Sequence, residues 1–128
     1  VIFTSCSKTE PMGPVEIQRM IRSRVAMLTN ANPDLSIEDD VIEGDWGLLT
    51  LKERGHLVGF EFLETEDSWR RPDAVIQYFE ASDDGYYVGV IVPEEWYDEV
   101  TERIYTMGEL PVVVLTYEGL GVAPLRLG

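Results

Sequence analysis

The side chains with the most chemistry to offer in this 128-residue chain are carboxylates and one short aromatic–basic cluster. Trp69-Arg70-Arg71 sits in a polar connector, Glu64 to Pro72, and places two cations beside an indole. Tryptophan and arginine are the commonest anchors of protein interfaces, so this loop is the candidate interaction site. Asp73, Glu61 and Glu80 lie at or near predicted strands, and hard divalent cations such as Mg²⁺ or Mn²⁺ are held by oxygen ligands of this kind. The chain has one cysteine, Cys6, and one histidine, His56, which rules out a cysteine cage, a zinc-type HExxH pair and a Cys–His nucleophile in one local motif. No GxGxxG, GxxxxGK[ST] or GxSxG segment is present, so phosphate-loop and nucleophile-elbow chemistry have no carrier. The expectation is therefore a non-catalytic domain.

Arg71-Pro72-Asp73 followed by a predicted strand resembles the first half of the PD-(D/E)xK nuclease motif. The resemblance implies Mg²⁺ or Mn²⁺ at a strand-start Asp73, with Glu61 or Glu80 as the second acid. The Glu-x-Lys half is missing: Glu80-Ala81-Ser82 lacks the lysine, and Gly89 to Val92 carries no charge. A divergent nuclease-type domain is thus the alternative to an interaction domain. A small-molecule site between the sheet and the first helix is a further alternative.

Charge narrows the partner. Acids number 24 against 10 Lys plus Arg, a net of −14. Residues 1–33 carry Lys8, Arg19, Arg22 and Arg24 against Glu10 and Glu16, a net of +2, so residues 34–128 carry −16. Such a body repels phosphate backbones, which argues against nucleic acid and for a basic protein partner or self-association through a free sheet edge.

The elements that must position these groups follow from periodicity. Pro14 opens a helix to about Asn30 with a stripe of Ile17, Ile21, Val25 and Leu28, widened by Met20 and Met27. Asp34 to Asp45 fails the EF-hand pattern, with Asp39 where glycine is needed, and Ser36 with Asp39 suggests one capped helical turn. Trp46–Lys52 and His56–Leu63 alternate as a hairpin about Glu53-Arg54-Gly55. Ala74–Glu80 and Tyr86–Val92 read as a second hairpin about Asp83-Asp84-Gly85. Pro93 to Gly108 is a helix with a stripe of Trp96, Val100, Ile104 and Met107, and Pro111–Tyr117 is a buried strand parallel to Tyr86–Val92. Val122–Leu127 closes as an edge strand.

The sum is one α+β domain over residues 1–128. It is a single mixed, mainly antiparallel sheet with two amphipathic helices, in the order (β)-α-β-β-β-β-α-β-β. Val1–Thr4 is apolar and β-like, the parenthesised first strand, and residues 1–13 are also open to reading as a flexible N-terminal segment. Phe3-Thr4-Ser5-Cys6 resembles a bacterial lipobox, which would imply a lipid anchor at Cys6 and export; the expectation is instead a small half-buried cysteine in a cytoplasmic protein. No apolar run reaches the ~20 residues of a membrane span.

Overall fold

The computed structural model describes residues 14–108 and 111–121. The expected terminal strands at residues 1–4 and 122–127, and Cys6, lie outside them. Over these described residues the fold is α+β: one five-stranded mixed sheet with four helices. The elements are α1 (Pro14–Ala31), β1 (Leu35–Ile42), β2 (Trp46–Glu53), β3 (His56–Leu63), α2 (Ala74–Asp83), β4 (Tyr87–Val92), α3 (Tyr97–Thr106), β5 (Val112–Thr116) and α4 (Tyr117–Leu120). Short 3₁₀ turns at Ser68–Arg70 and Glu94–Trp96 lead towards α2 and into α3. Strand order equals chain order. β1, β2 and β3 are antiparallel neighbours, whereas β3–β4 and β4–β5 are parallel, so the antiparallel pairings expected to dominate are matched by parallel ones.

Two segments depart from the sequence reading. Ala74–Glu80 belongs to helix α2 rather than a strand. Its apolar residues suit both periods, but β3 and β4 run parallel, and parallel neighbours need a crossover of a dozen residues or more. As a helix the segment buries Ala74, Val75 and Tyr78 along one side and leaves Ile76 48 % exposed. The Asp-Asp-Gly signal ends this helix instead of turning a hairpin. Gly85 adopts φ +88°, its N–H donates to Ser82 O, and Tyr86 N–H donates to Ala81 O, the paired bonds of a Schellman cap. The second departure is Leu35–Ile42, which is edge strand β1 rather than a helical turn. Its exposed acids, Glu38, Asp39 and Asp40, are the charges that keep a free edge from pairing promiscuously.

Each face of the sheet has its own core. On one, Ile17, Met20 and Ile21 of α1 meet Leu49, Leu51, Leu63, Ile91 and Tyr117. On the other, α2 and α3 set Ala74, Val75, Tyr78, Val100 and Ile104 against Phe62, Val88, Val90 and Val92. The stripe expected on α3 holds for Val100 and Ile104, but Met107 lies past the helix end and is 49 % exposed. No helix among the described residues is long and apolar enough to cross a membrane.

The helices are offset across the sheet. α1 packs on β1, β2 and β3, while α2 packs on β4 and β5 and α3 on β5. Among the described residues, the β1–β2 side of the α2–α3 face, with Phe60 of β3, is consequently left partly open, while Trp46 and Phe62 are buried. Register makes this visible along the row Asp40–Leu48–Phe62–Val90: the first is exposed, the second half-buried and the last two buried.

Candidate functional site

Where α2 stops short of β1, its outer side and strands β2 and β3 form a groove of about 340 Å³. Its floor is apolar: Trp46 and Leu48 from β2, Phe60 and Phe62 from β3. Strand alternation puts all four on one face, since even-numbered residues of β2 pair with even-numbered residues of β3. Its wall is the outer side of α2 and the cap that follows, with Gln77, Glu80, Ala81, Asp84 and Tyr86. Trp46 stacks on Phe62 with ring centroids 5.8 Å apart, and Tyr86 meets Phe60 edge-on at 5.9 Å. The charged residues of this lining, Glu80 and Asp84, are both acidic and both exposed.

One end of the groove is held by a buried network centred on Glu64, which is fully buried at the end of β3. Its Oε1 accepts from Ser68 Oγ at 2.6 Å and Arg71 Nη1 at 2.7 Å, and its Oε2 accepts from the Tyr78 hydroxyl. Arg71 also donates to Ser68 O and to Gln77 Oε1, both at 2.7 Å, and its guanidinium lies 3.8 Å from the Trp46 ring centroid. Thr65 and Ser68 cap each other: Thr65 N–H donates to Ser68 Oγ and Ser68 N–H to Thr65 Oγ1. Thr65 Oγ1 in turn donates to Asp45 at 3.0 Å. A buried carboxylate is tolerable only when its lone pairs are met in this way. Burial, reinforced by the Glu64 charge, drives the hydroxyl pKa of Tyr78 and of Tyr117 well above the usual tyrosine range.

A second polar cluster lies on the opposite face. Arg24 of α1 grips Glu61 of β3 with two hydrogen bonds, Nε to Oε1 at 2.7 Å and Nη2 to Oε2 at 2.8 Å. The bond to Glu61 raises the Arg24 pKa further. Tyr87 donates to Glu61 Oε2 at 2.8 Å. It can lie across β3 and β4 because its neighbours are glycines: a Cβ on Gly89 would sit 2.5 Å from the Tyr87 hydroxyl, and one on Gly59 would sit 2.7 Å from Tyr87 Cβ. Burial, then the Glu61 charge, raises the Tyr87 pKa.

The residues singled out from sequence are thus distributed. Trp69 is 5 % exposed and packs in the α2–α3 core, 6.1 Å from Trp96. Arg70 is exposed and covers both indoles, 4.6 Å from the Trp69 centroid and 4.5 Å from that of Trp96. Arg71 turns inward to Glu64. Of the cluster proposed as an interface loop, Arg70 is the member that faces solvent. Asp73 stands at the start of α2, not of a strand, with its side chain 63 % exposed. Glu80 is two turns further along α2, and Glu61 is on the other side of the sheet. The three acids are therefore not brought together, and among the described residues no group of three or more His, Cys, Asp or Glu side chains could hold a metal ion.

Sequence reasoning passed over Glu64 and Arg24. Arg24 continues the stripe of Ile17, Met20 and Ile21, where a charge signals a buried partner, and Glu64 closes an apolar strand in the same manner. No protein-family model, curated protein or solved structure matches this chain.

Proposed function

We propose that this chain is a small acidic protein-interaction domain that docks a partner segment on the side of the α2–α3 face, around Leu48, Thr50 and Phe60, that the described residues leave partly open. The observation that supports it is the helix offset. It leaves Leu48 and Phe60 only half-buried on a rigid sheet beside a formed groove, with exposed acids on both sides: Glu38 and Asp40 on β1, Glu80 and Asp84 at α2. Ligand sites are concave, apolar and few per domain, and this groove has that character. Self-association through β5 (Val112–Thr116), an uncharged edge strand among the described residues, is the second arm of the same reading. A cytoplasmic setting goes with this reading, since a single cysteine can form no internal disulfide.

The groove also falls at the small end of the ~300–1,000 Å³ range of small-molecule sites, which keeps that alternative attached to the same residues. It lies beside α2, not beneath the first helix. The nuclease-type alternative draws no support from the placement of Asp73, Glu61 and Glu80.

Photo-cross-linking in the native host tests the interaction reading. A benzophenone residue at Thr50, on the open ledge, is expected to give discrete adducts, whereas the same residue at Arg22, on the outer side of α1, gives none. Equal adducts from both positions, or none from Thr50, contradict the proposed docking face.

A further inference from the structure

Resting on the interaction reading, the groove's chemistry identifies its guest. We infer that the groove takes an arginine side chain from a basic segment of a partner protein, its guanidinium lying against Phe60 and Tyr86 and facing the Glu80 and Asp84 carboxylates.

Three observations carry this. The first is charge. Among the described residues, Glu80 and Asp84 line the groove, no Lys or Arg does, and neither acid has a basic partner. Lys52, on the same strand face as Leu48, is already engaged with Glu38 at 3.0 Å. The second is surface type. The floor and wall present aromatic rings, whose faces attract cations, and a guanidinium is weakly hydrated and planar, so it gives up water for such a surface more readily than an ammonium does. The third is precedent within the molecule. Arg71 lies on Trp46, and Arg70 lies over Trp69 and Trp96. Each of these arginines also donates a hydrogen bond to an oxygen, Arg71 to Glu64 and Arg70 to Glu66 O. Arg71 is the case that pairs a ring with a carboxylate, and the groove sets the Phe60 and Tyr86 rings beside Glu80 and Asp84 in the same combination. Its 340 Å³ suits one or two side chains.

The test uses a fluorescein-labelled decapeptide bearing two arginines, with its lysine and its neutral citrulline counterparts, titrated by anisotropy and by amide-resolved NMR at near-physiological salt. The arginine peptide is expected to shift the amides of Leu48, Phe60, Ala81 and Tyr86. Citrulline should weaken binding about three- to tenfold, as should the pair Glu80→Gln with Asp84→Asn, because each removes the guanidinium–carboxylate attraction at a solvent-exposed site. Lysine should fall between. Glu94→Gln with Asp98→Asn makes the same change in net charge at the 3₁₀ turn and first turn of α3 and should alter affinity less than about twofold, as expected for a distant screened charge. If citrulline binds the groove as well as arginine does, the cation inference fails while the docking face stands. If the α3 variant weakens binding as much as the groove variant, the attraction is diffuse surface charge and the inference fails. If no peptide shifts the groove amides, the inference and the docking face both fail.

Discussion

The Arg71 guanidinium lies 3.8 Å from the Trp46 ring centroid while donating to Glu64 Oε1 at 2.7 Å. One side chain thereby ties the indole at the groove floor to a fully buried carboxylate and, through Gln77, to the groove wall. Arg71→Met keeps much of the apolar contact but strands the Glu64 charge, so a loss of about 3–5 kcal/mol is expected, the usual cost of leaving one member of a buried pair. Urea denaturation checks this. A loss under about 1 kcal/mol, the level of an exposed pair, would show that Glu64 is satisfied without Arg71.

The Arg24–Glu61 pair tests whether a buried ion pair here adds stability or specificity. Each of Arg24→Met and Glu61→Leu alone should cost about 3–5 kcal/mol, whereas the double variant should recover most of that, since an apolar pair of similar volume has no charge to desolvate. Chemical denaturation of all four proteins closes the cycle. Additive losses would mean that the two residues do not act as a pair.

Tyr87 and Gly89 share one volume. Gly89→Ala should push the Tyr87 ring off Glu61, costing roughly the net value of one hydrogen bond to a charged group, about 1.5–3 kcal/mol, plus strain. In a Tyr87→Ala background the same alanine should be nearly neutral. A crystal structure of Gly89→Ala with Tyr87 unmoved would refute this account of the glycine.

Buried tyrosines set an alkaline limit. Tyr78 and Tyr117 have pKa values raised above those of the unfolded chain, chiefly by burial. Below pH ~10, the unfolded tyrosine pKa, both states hold the proton and the stability is fully present; above it only the unfolded state ionises. Stability should therefore fall above pH ~10 by up to ~1.4 kcal/mol per pH unit for each tyrosine. Tyr78→Phe should reduce that slope by about one proton, and a thermal melt series from pH 8 to 11 reads it. Tyr87, which is 38 % exposed, should contribute less because solvent screens it.

Local rules made much of the fold legible. The β2–β3 hairpin announced itself through period two and its Arg54-Gly55 turn. α1 was marked by Ile17, Met20 and Ile21, and the β4–α3–β5 crossover by Pro93, Gly108 and a β-branched run. Ala74–Glu80 misled because β-branched and aromatic residues favour strands only when a strand has room to pair, and here the parallel β3–β4 neighbours demand a helix between them. Gly85 misled because a hairpin turn and a Schellman cap both need positive φ. β1 was hidden because an edge strand carries charges in place of apolar alternation.

The site was legible only in pieces. Alternation in β2 and β3 put Leu48 and Phe60 on an apolar face, but which half of that face stays open depends on where α1, α2 and α3 sit, a non-local outcome. Trp69, Arg70 and Arg71 read as one exposed cluster, yet the 3₁₀ turn at Ser68–Arg70 sends the first and last inward and the middle one outward. Glu64 and Arg71, seven residues apart across a connector, have no periodic signal linking them.

The most direct measurement of the central claim is amide-resolved NMR of the protein with its partner segment, or with the arginine decapeptide in its place. The account predicts shifts confined to β1–β3 residues of the α2–α3 face and to the end of α2, with Leu48, Phe60 and Tyr86 among the largest. Shifts centred on α1, on Trp69–Arg70, or spread evenly over the acidic surface would contradict it.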